Sequence, residues 1–456
     1  MPEFKSPKGK LTPERRDVLN ALNEAILAAD PHLIIREKLR IANKNKLRID
    51  SISFNLEQFE RIFVIGGGKA SAYMAEEVEK ILGKRITDGV VNYPDYLKKV
   101  PKLKRIKLNQ ASHPVPDESG EQGVRKMFKL TQNPSSKDLV ICLISGGGSA
   151  LMPLPISGLT LAGEQEVTSL LLKAGSEIHD LNVVRKHLSG VKGGRLAERL
   201  QPATVLSLII SDVVGDDISS IASGPTVPDN STFEDAMRIV KERYGIWGHM
   251  PKAARKIIED GVAGRIEETP KPGSEIFDLV HNVLLASNKI SCIAAENSLR
   301  VSGYRTMIFT TQIQGEASQV GGLLASIARD VGKNGFPLKP PAAVIAGGET
   351  TVNVKGSGLG GRNQEVALAA SIGIDGVAEK TVIASIGTDG VDGPTNAAGA
   401  LADESTIRRA LKKKLDAKAF LADNNSHAFF KALDDLIITG PTGTNVNDIM
   451  IVLVDH

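Results

Sequence analysis

The chain of 456 residues is poor in the features that would narrow its class at once. It has two cysteines, too few for a disulfide framework. Cys142 in VICLIS and Cys292 in SCIAAE sit in apolar settings that suit buried, inert thiols in a reducing compartment. No stretch approaches the ~18 uninterrupted apolar residues that a membrane-spanning helix requires. Excess charge of one sign is missing as well. The 56 Lys and Arg stand against 53 Asp and Glu, and a net +3 over this length is no nucleic-acid footprint. The basic run KKVPKLKRIK at 98–107 reads as a solvated face. Glycine has no three-residue period, which excludes collagen, and the N-terminal MPEFKSPKGKLTPERRD has no apolar segment of secretory type. The expectation is a cytoplasmic protein that engages neither nucleic acid nor membrane. Self-association into a homo-oligomer is left open.

What is present is globular composition, 41% hydrophobic and 24% charged, with 44 glycines. At ~100–200 residues per domain, two or three domains are expected. Residues 11–30 read as an amphipathic helix with Thr12 as N-cap and Pro13 at its first position. After it, short apolar β-rich runs end repeatedly in Gly-rich turns: FVIGGGKAS, LVICLISGGGSA, TVLSLIISDVVGDD, AAVIAGGETT and VIASIGTDGVDG. Helical patterns at 71–82, 120–131, 161–174, 181–200, 233–243, 289–302, 315–332 and 362–372 separate many of them. Strands this apolar, alternating with helices, predict α/β architecture with mostly parallel sheet. Pro, Gly and charge rise together over 248–275, which places a linker or hinge at 251–275 between a domain at 1–250 and another at 276–456.

In an open α/β sheet, ligands sit outside the carboxyl ends of the strands, where glycine lets backbone N–H groups approach an anion. Gly66, Gly67, Gly68 and Ser71 nearly fit a dinucleotide fingerprint, with Asp88 about 20 residues on. The loop is no Walker A motif, because Phe63 holds its first glycine slot and Ala70 follows Lys69. Lys69 at a helix start would add a second positive element aimed at one anionic group. Ser145, Gly146, Gly147, Gly148 and Ser149 suit the wrapping of phosphate or carboxylate oxygens. Asn182, Arg185, Lys186, Ser189 and Lys192 fall at helical spacing on one face, with Arg185 and Lys192 as candidate anion ligands; His187 points elsewhere. Asp212 and Asp389 end apolar strands, where Mg²⁺ would find one or two carboxylates beside substrate oxygens. Either could instead take a proton from an attacking hydroxyl. The loop at 356–361 delivers Arg362 and Asn363 to a helix start, where the arginine could grip a carboxylate or a transferring phosphoryl group; Glu349 in GGETT joins them as a binding candidate.

Together, VIGGGKAS, SHPVPDESG, LISGGGSAL, LNVVRKHLSGVKGGRLA, SDVVGDDISSIASGPTVPD, GGETTVNVKGSGLGGRNQE, GTDGVDGPTNAAGA and TGPTGTNVNDI resemble the class II glycerate 2-kinases, whose C-terminal region is the MOFRL domain. These stretches span residues 60 to 449 in order. The resemblance implies a Rossmann-like N-terminal domain, a second α/β unit and an active site in the cleft between them. It implies an ATP- and Mg²⁺-dependent kinase acting on the 2-hydroxyl of D-glycerate, with the family's lysine at Lys69 and its arginine at Arg362. Asp212 is the third catalytic candidate. Two other readings stand beside it: a nicotinamide-dependent hydroxypyruvate reductase, resting on Gly66, Gly68, Ser71 and Asp88, and a non-catalytic sensor of sugar acids or nucleotides.

Overall fold

The computed structural model describes residues 11–377 and 379–456. The expectation about a secretory segment rests largely on residues 1–10, which lie outside the described residues. The chain divides into two compact units, Ile34–Leu285 and Met1–Leu33 with Ala286–His456. No helix among the described residues is long and apolar enough to cross a membrane.

The unit Ile34–Leu285 is built on six strands: Arg61–Gly67, Asp88–Pro94, Ile106–Ala111, Asp138–Ile144, Thr204–Ile210 and Val280–Ala286. Numbered in that sequence, their spatial order is 3-2-1-4-5-6, the order of a doubly wound dinucleotide-type sheet. The first five pair in parallel. Strands 61–67 and 138–144 are almost wholly buried, as their unbroken apolar runs demand when both faces are covered. Helix Ser71–Leu82 buries Met74, Ala75, Val78 and Leu82 and stops at Gly83, whose φ of 53° ends the turn. A three-stranded antiparallel sheet at 39–55, which the sequence pattern did not suggest, precedes the main sheet.

Two expected elements differ. The helix predicted over 181–200 is two pieces, Ile178–His187 and Arg195–Arg199, because Gly193 and Gly194 take φ of 61° and 83° between them. The stretch predicted as linker carries helix Lys252–Val262, whose Ala254, Ile257 and Ile258 pack in one core with Phe233 and Val240.

The other unit holds a mixed sheet in the order Arg305–Ile313, Ala342–Gly348, Asp448–Asp455, Lys380–Gly387, Gly399–Asp403 and Leu436–Ile437. Only its first pair is parallel. The prediction of mostly parallel sheet therefore fails here, since strand 448–455 runs back between 342–348 and 380–387. Helix Pro13–Leu27 forms as expected, with Thr12 Oγ1 accepting from Arg15 N, but it belongs to this unit rather than to the N-terminal one. Its Val18, Leu22, Ala25 and Ile26 pack with Cys292, Ala295 and Leu299, and Arg15 binds Asp403 and Asp435. Both cysteines are buried, and burial pushes each thiol up to about 12.

Candidate functional site

The parallel sheet has its topological switch between strands 61–67 and 138–144, where ligands of doubly wound folds collect. The loops leaving these two strands lock together. A methyl group on Gly66 would strike the backbone of Leu143, and one on Gly68 would strike Ser145 Oγ. Lys69 N donates to Gly146 O at 2.8 Å, and Ala70 N donates to Ser145 Oγ at 3.0 Å. The glycines that mimic a dinucleotide fingerprint are thus required by strand-to-strand contact. Asp88, the acid of that reading, opens its strand opposite Phe63, at the end of the sheet away from the loops. The reductase reading loses its ribose partner there.

Around the tip of the 145–149 loop the sequence candidates assemble. Asp212 lies so close that a methyl on Gly146 would overlap its carboxylate. A methyl on Gly147 would come within 2.8 Å of His113 Nε2 and 3.2 Å of Lys69 Cγ. On Gly67 it would meet Met152 Cγ at 2.7 Å, and on Gly148 it would meet Ala222 Cβ at 2.6 Å, so both are packing glycines. Ser149 Oγ lies 2.8 Å from Ser223 Oγ, which donates to Asn182 Oδ1. Burial, with Lys69 nearby, holds His113 down at about 4, so its imidazole is neutral at pH 7. The sequence reading passed over His113, although SHPVP places it in a loop at the same sheet end.

Arg185 lines a cavity of about 780 Å³ together with His113, Gly147, Ser149 and Glu164. Burial lowers its pKa while Glu164 opposes the shift, and it makes no hydrogen bond or ion pair among the described residues. Lys192 corrects an expectation. It is almost fully buried and ion-paired with Glu164 at 3.1 Å, and it lies beyond the end of the helix whose face it was expected to share. Lys186 is likewise committed, to Asp229 at 3.2 Å.

In the mixed sheet, Gly348 and Gly387 flank Asp448 in register, so the loops after 342–348 and 380–387 leave from the end where 448–455 begins. Arg362 opens helix Arg362–Gly373 and is clamped by Asp448 through Nε and Nη2 at 2.7 and 2.9 Å. Its Nη1 meets Glu349 at 2.9 Å, and the ion pairs push Arg362 up. The expected free anion grip is therefore an arginine already held by two carboxylates, with its side chain 32% exposed. Asn363 is buried. Its Nδ2 donates to Asp448, and its N–H and that of Gln364 donate to Asp392. This helix N-terminus is filled from within. Burial pushes Asp448 up to about 6 despite Arg362. Asp389 Oδ1 accepts from Val391 N at 3.0 Å. Asp448 was not singled out from sequence, although an Asn-Asp pair opening an apolar run was visible.

Asp212 and Asp389, the two metal candidates, lie in different units. Among the described residues no group of three or more His, Cys, Asp or Glu is gathered for a metal.

Comparison with known proteins places these features. Residues 17–259 match the model of a domain of unknown function, DUF4147, and residues 342–448 match the MOFRL family. The chain is 43% identical over 438 residues to a glycerate 2-kinase of Pyrococcus horikoshii, covering 96% of both chains. It is 42% identical over 396 residues to a D-glycerate 2-kinase of Thermotoga maritima, covering 87% of this chain and 91% of that one. A crystal structure of a Thermotoga maritima glycerate kinase superposes with a TM-score of 0.85 at 39% identity, over 96% of this chain and 99% of the other.

Proposed function

This chain belongs to the glycerate 2-kinase family, and on that basis we infer that it transfers the γ-phosphate of ATP to the 2-hydroxyl of D-glycerate. The glycerate oxygen forms a bond to phosphorus, the bond from phosphorus to the β-phosphate oxygen breaks, the hydroxyl proton is lost, and ADP leaves. Such chemistry needs positioning and charge neutralisation above all.

One observation supports this reading of the site most: among the described residues Lys69 has no carboxylate partner, and it stands beside a Gly-rich loop at the switch point of a doubly wound sheet. Its ammonium would offset charge on the transferring phosphoryl group, and the amides of 145–149 would bind phosphate oxygens. Arg185 would hold a further anionic group of the substrates. Arg362, set by Asp448 and Glu349, would present its remaining N–H donors to an anion. Asp212 would take the hydroxyl proton or hold Mg²⁺. One carboxylate at the mouth of a phosphate loop fits that ion, which completes its shell with phosphate oxygens and water and supplies charge neutralisation. Asp389 is the second candidate for the same role.

Incubation with Mg-ATP and D-glycerate should yield 2-phospho-D-glycerate, identified by NMR or enolase coupling. NADH oxidation with hydroxypyruvate and no phosphoglycerate would instead support the reductase, and silence in both assays the sensor.

A further inference from the structure

We propose that the cavity beside the 145–149 loop binds the nucleoside of the phosphoryl donor, with the donor's phosphates directed to Gly146–Gly148 and Lys69. The assignment rests on the kinase reading and specifies which of its two substrates this unit holds.

Size comes first. At about 780 Å³ the cavity lies within the range of nucleotide-sized ligand sites, and a three-carbon acid would leave most of it filled with water. The lining is also divided by chemistry. Pro114, Val115, Pro116 and Leu172 supply apolar lining, whereas Gly147, in the Gly-rich loop, and Arg185 supply polar lining. Val115 and Leu172 are 61% and 57% exposed, two large apolar side chains at one cavity that no protein group covers. A flat heteroaromatic base would cover both; a small hydroxy acid has no surface to offer them.

The polar groups agree with that orientation. Gln165 Nε2 donates to Pro116 O at 2.6 Å, which ties helix Leu161–Lys173 to the 114–116 loop. Its Oε1 accepts no hydrogen bond among the described residues and can receive one from an exocyclic amine of the base. Arg185 has no ion-pair partner among the described residues, and Glu164, which also lines the cavity, is already neutralised by Lys192. The local balance is positive, as a polyphosphate requires. The cavity reaches Gly147, against which Lys69 packs, so a nucleoside here points its phosphates toward the lysine.

The test uses Leu172→Asp and Val115→Asp, exposed positions whose loss leaves the core intact. ADP binding to the full chain is measured by calorimetry, and KM for ATP and for D-glycerate are measured separately. Expected are ADP binding by the wild type, weakening of at least about tenfold in each variant, a matching rise in KM for ATP, and KM for D-glycerate unchanged. Unchanged ADP affinity in both variants, or a rise in KM for D-glycerate alone, would overturn the assignment, as would a wild type that binds no ADP. Should the wild type bind ADP in this cavity yet make no phosphoglycerate, the kinase reading would fail while the nucleoside site stood.

Discussion

The two units present cations at the ends of their sheets in opposite ways. In the unit of the parallel sheet, Lys69 and Arg185 have no carboxylate bonded to them among the described residues, and the backbone N–H of Lys69 donates to Gly146 O in the facing loop. In the mixed sheet, Arg362 is gripped by Asp448 and Glu349 before any ligand arrives. Topology accounts for the difference. Where neighbouring strands are parallel, the ligand end receives their carboxyl termini and the glycine turns that follow. Where an antiparallel strand lies between them, its first residue arrives at the same end, and here that residue is a buried aspartate. A cation brought by a parallel sheet is available to a ligand. One brought beside an antiparallel strand is pre-oriented and partly spent.

The most severe test is removal of the cations themselves. Lys69→Ala should lower kcat by about 10³-fold or more with the fold retained, as expected for a charge aimed at the reacting phosphoryl group. Arg362→Ala should lower kcat severely and, unlike Lys69→Ala, should also destabilise the protein, because it leaves Asp448 buried without its partner. Equal melting temperatures for the two variants would break the contrast between an available and a clamped cation.

Asp448→Ala should cost about 3 kcal/mol of stability in denaturant titration, whereas Glu349→Gln should cost less than about 1 kcal/mol. The two carboxylates bind the same guanidinium, but Asp448 is fully buried and Glu349 is 43% exposed. Similar losses would mean that burial does not set the strength of the clamp.

A pH series sharpens the comparison further. Because Asp448 sits at about 6, above its ordinary 3.8, the fold favours its neutral form. Ionisation therefore carries a cost fully present above about 6 and relieved as pH falls through that value, so this group's contribution to stability rises on acidification. Activity should move the other way, since protonation loosens the hold on Arg362. Wild-type kcat should fall below about pH 6, and Asp448→Asn should lack that limb. Loss of activity in step with loss of structure would refute this assignment. The smallest effect on activity is expected of Lys192→Met, which leaves Glu164 buried without its cationic partner and does not touch the loop. It should destabilise the protein while changing kcat only modestly.

Much of this was legible in residue order. Apolar runs ending in glycine marked strands 61–67, 138–144, 342–348 and 380–387, because a strand buried on both faces admits few polar residues. Lys69, Asp212 and the 145–149 loop were legible for the same reason: each follows directly from such a strand. Lys192 was misread because helical spacing was carried through Gly193 and Gly194, where the helix does not continue. His113 and Asp448 were missed because neither stands beside a glycine turn. Their positions follow from partners distant in sequence.

By itself, the sequence determined the α/β class, the family and the identity of the glycine loops, since these depend on local periodicity and on residues adjacent in the chain. Tertiary structure decided which cations remain available, that helix 13–27 joins the C-terminal unit, and that a buried aspartate holds Arg362. Those outcomes depend on strand direction and on burial, and both are set only when segments far apart in sequence pack against one another.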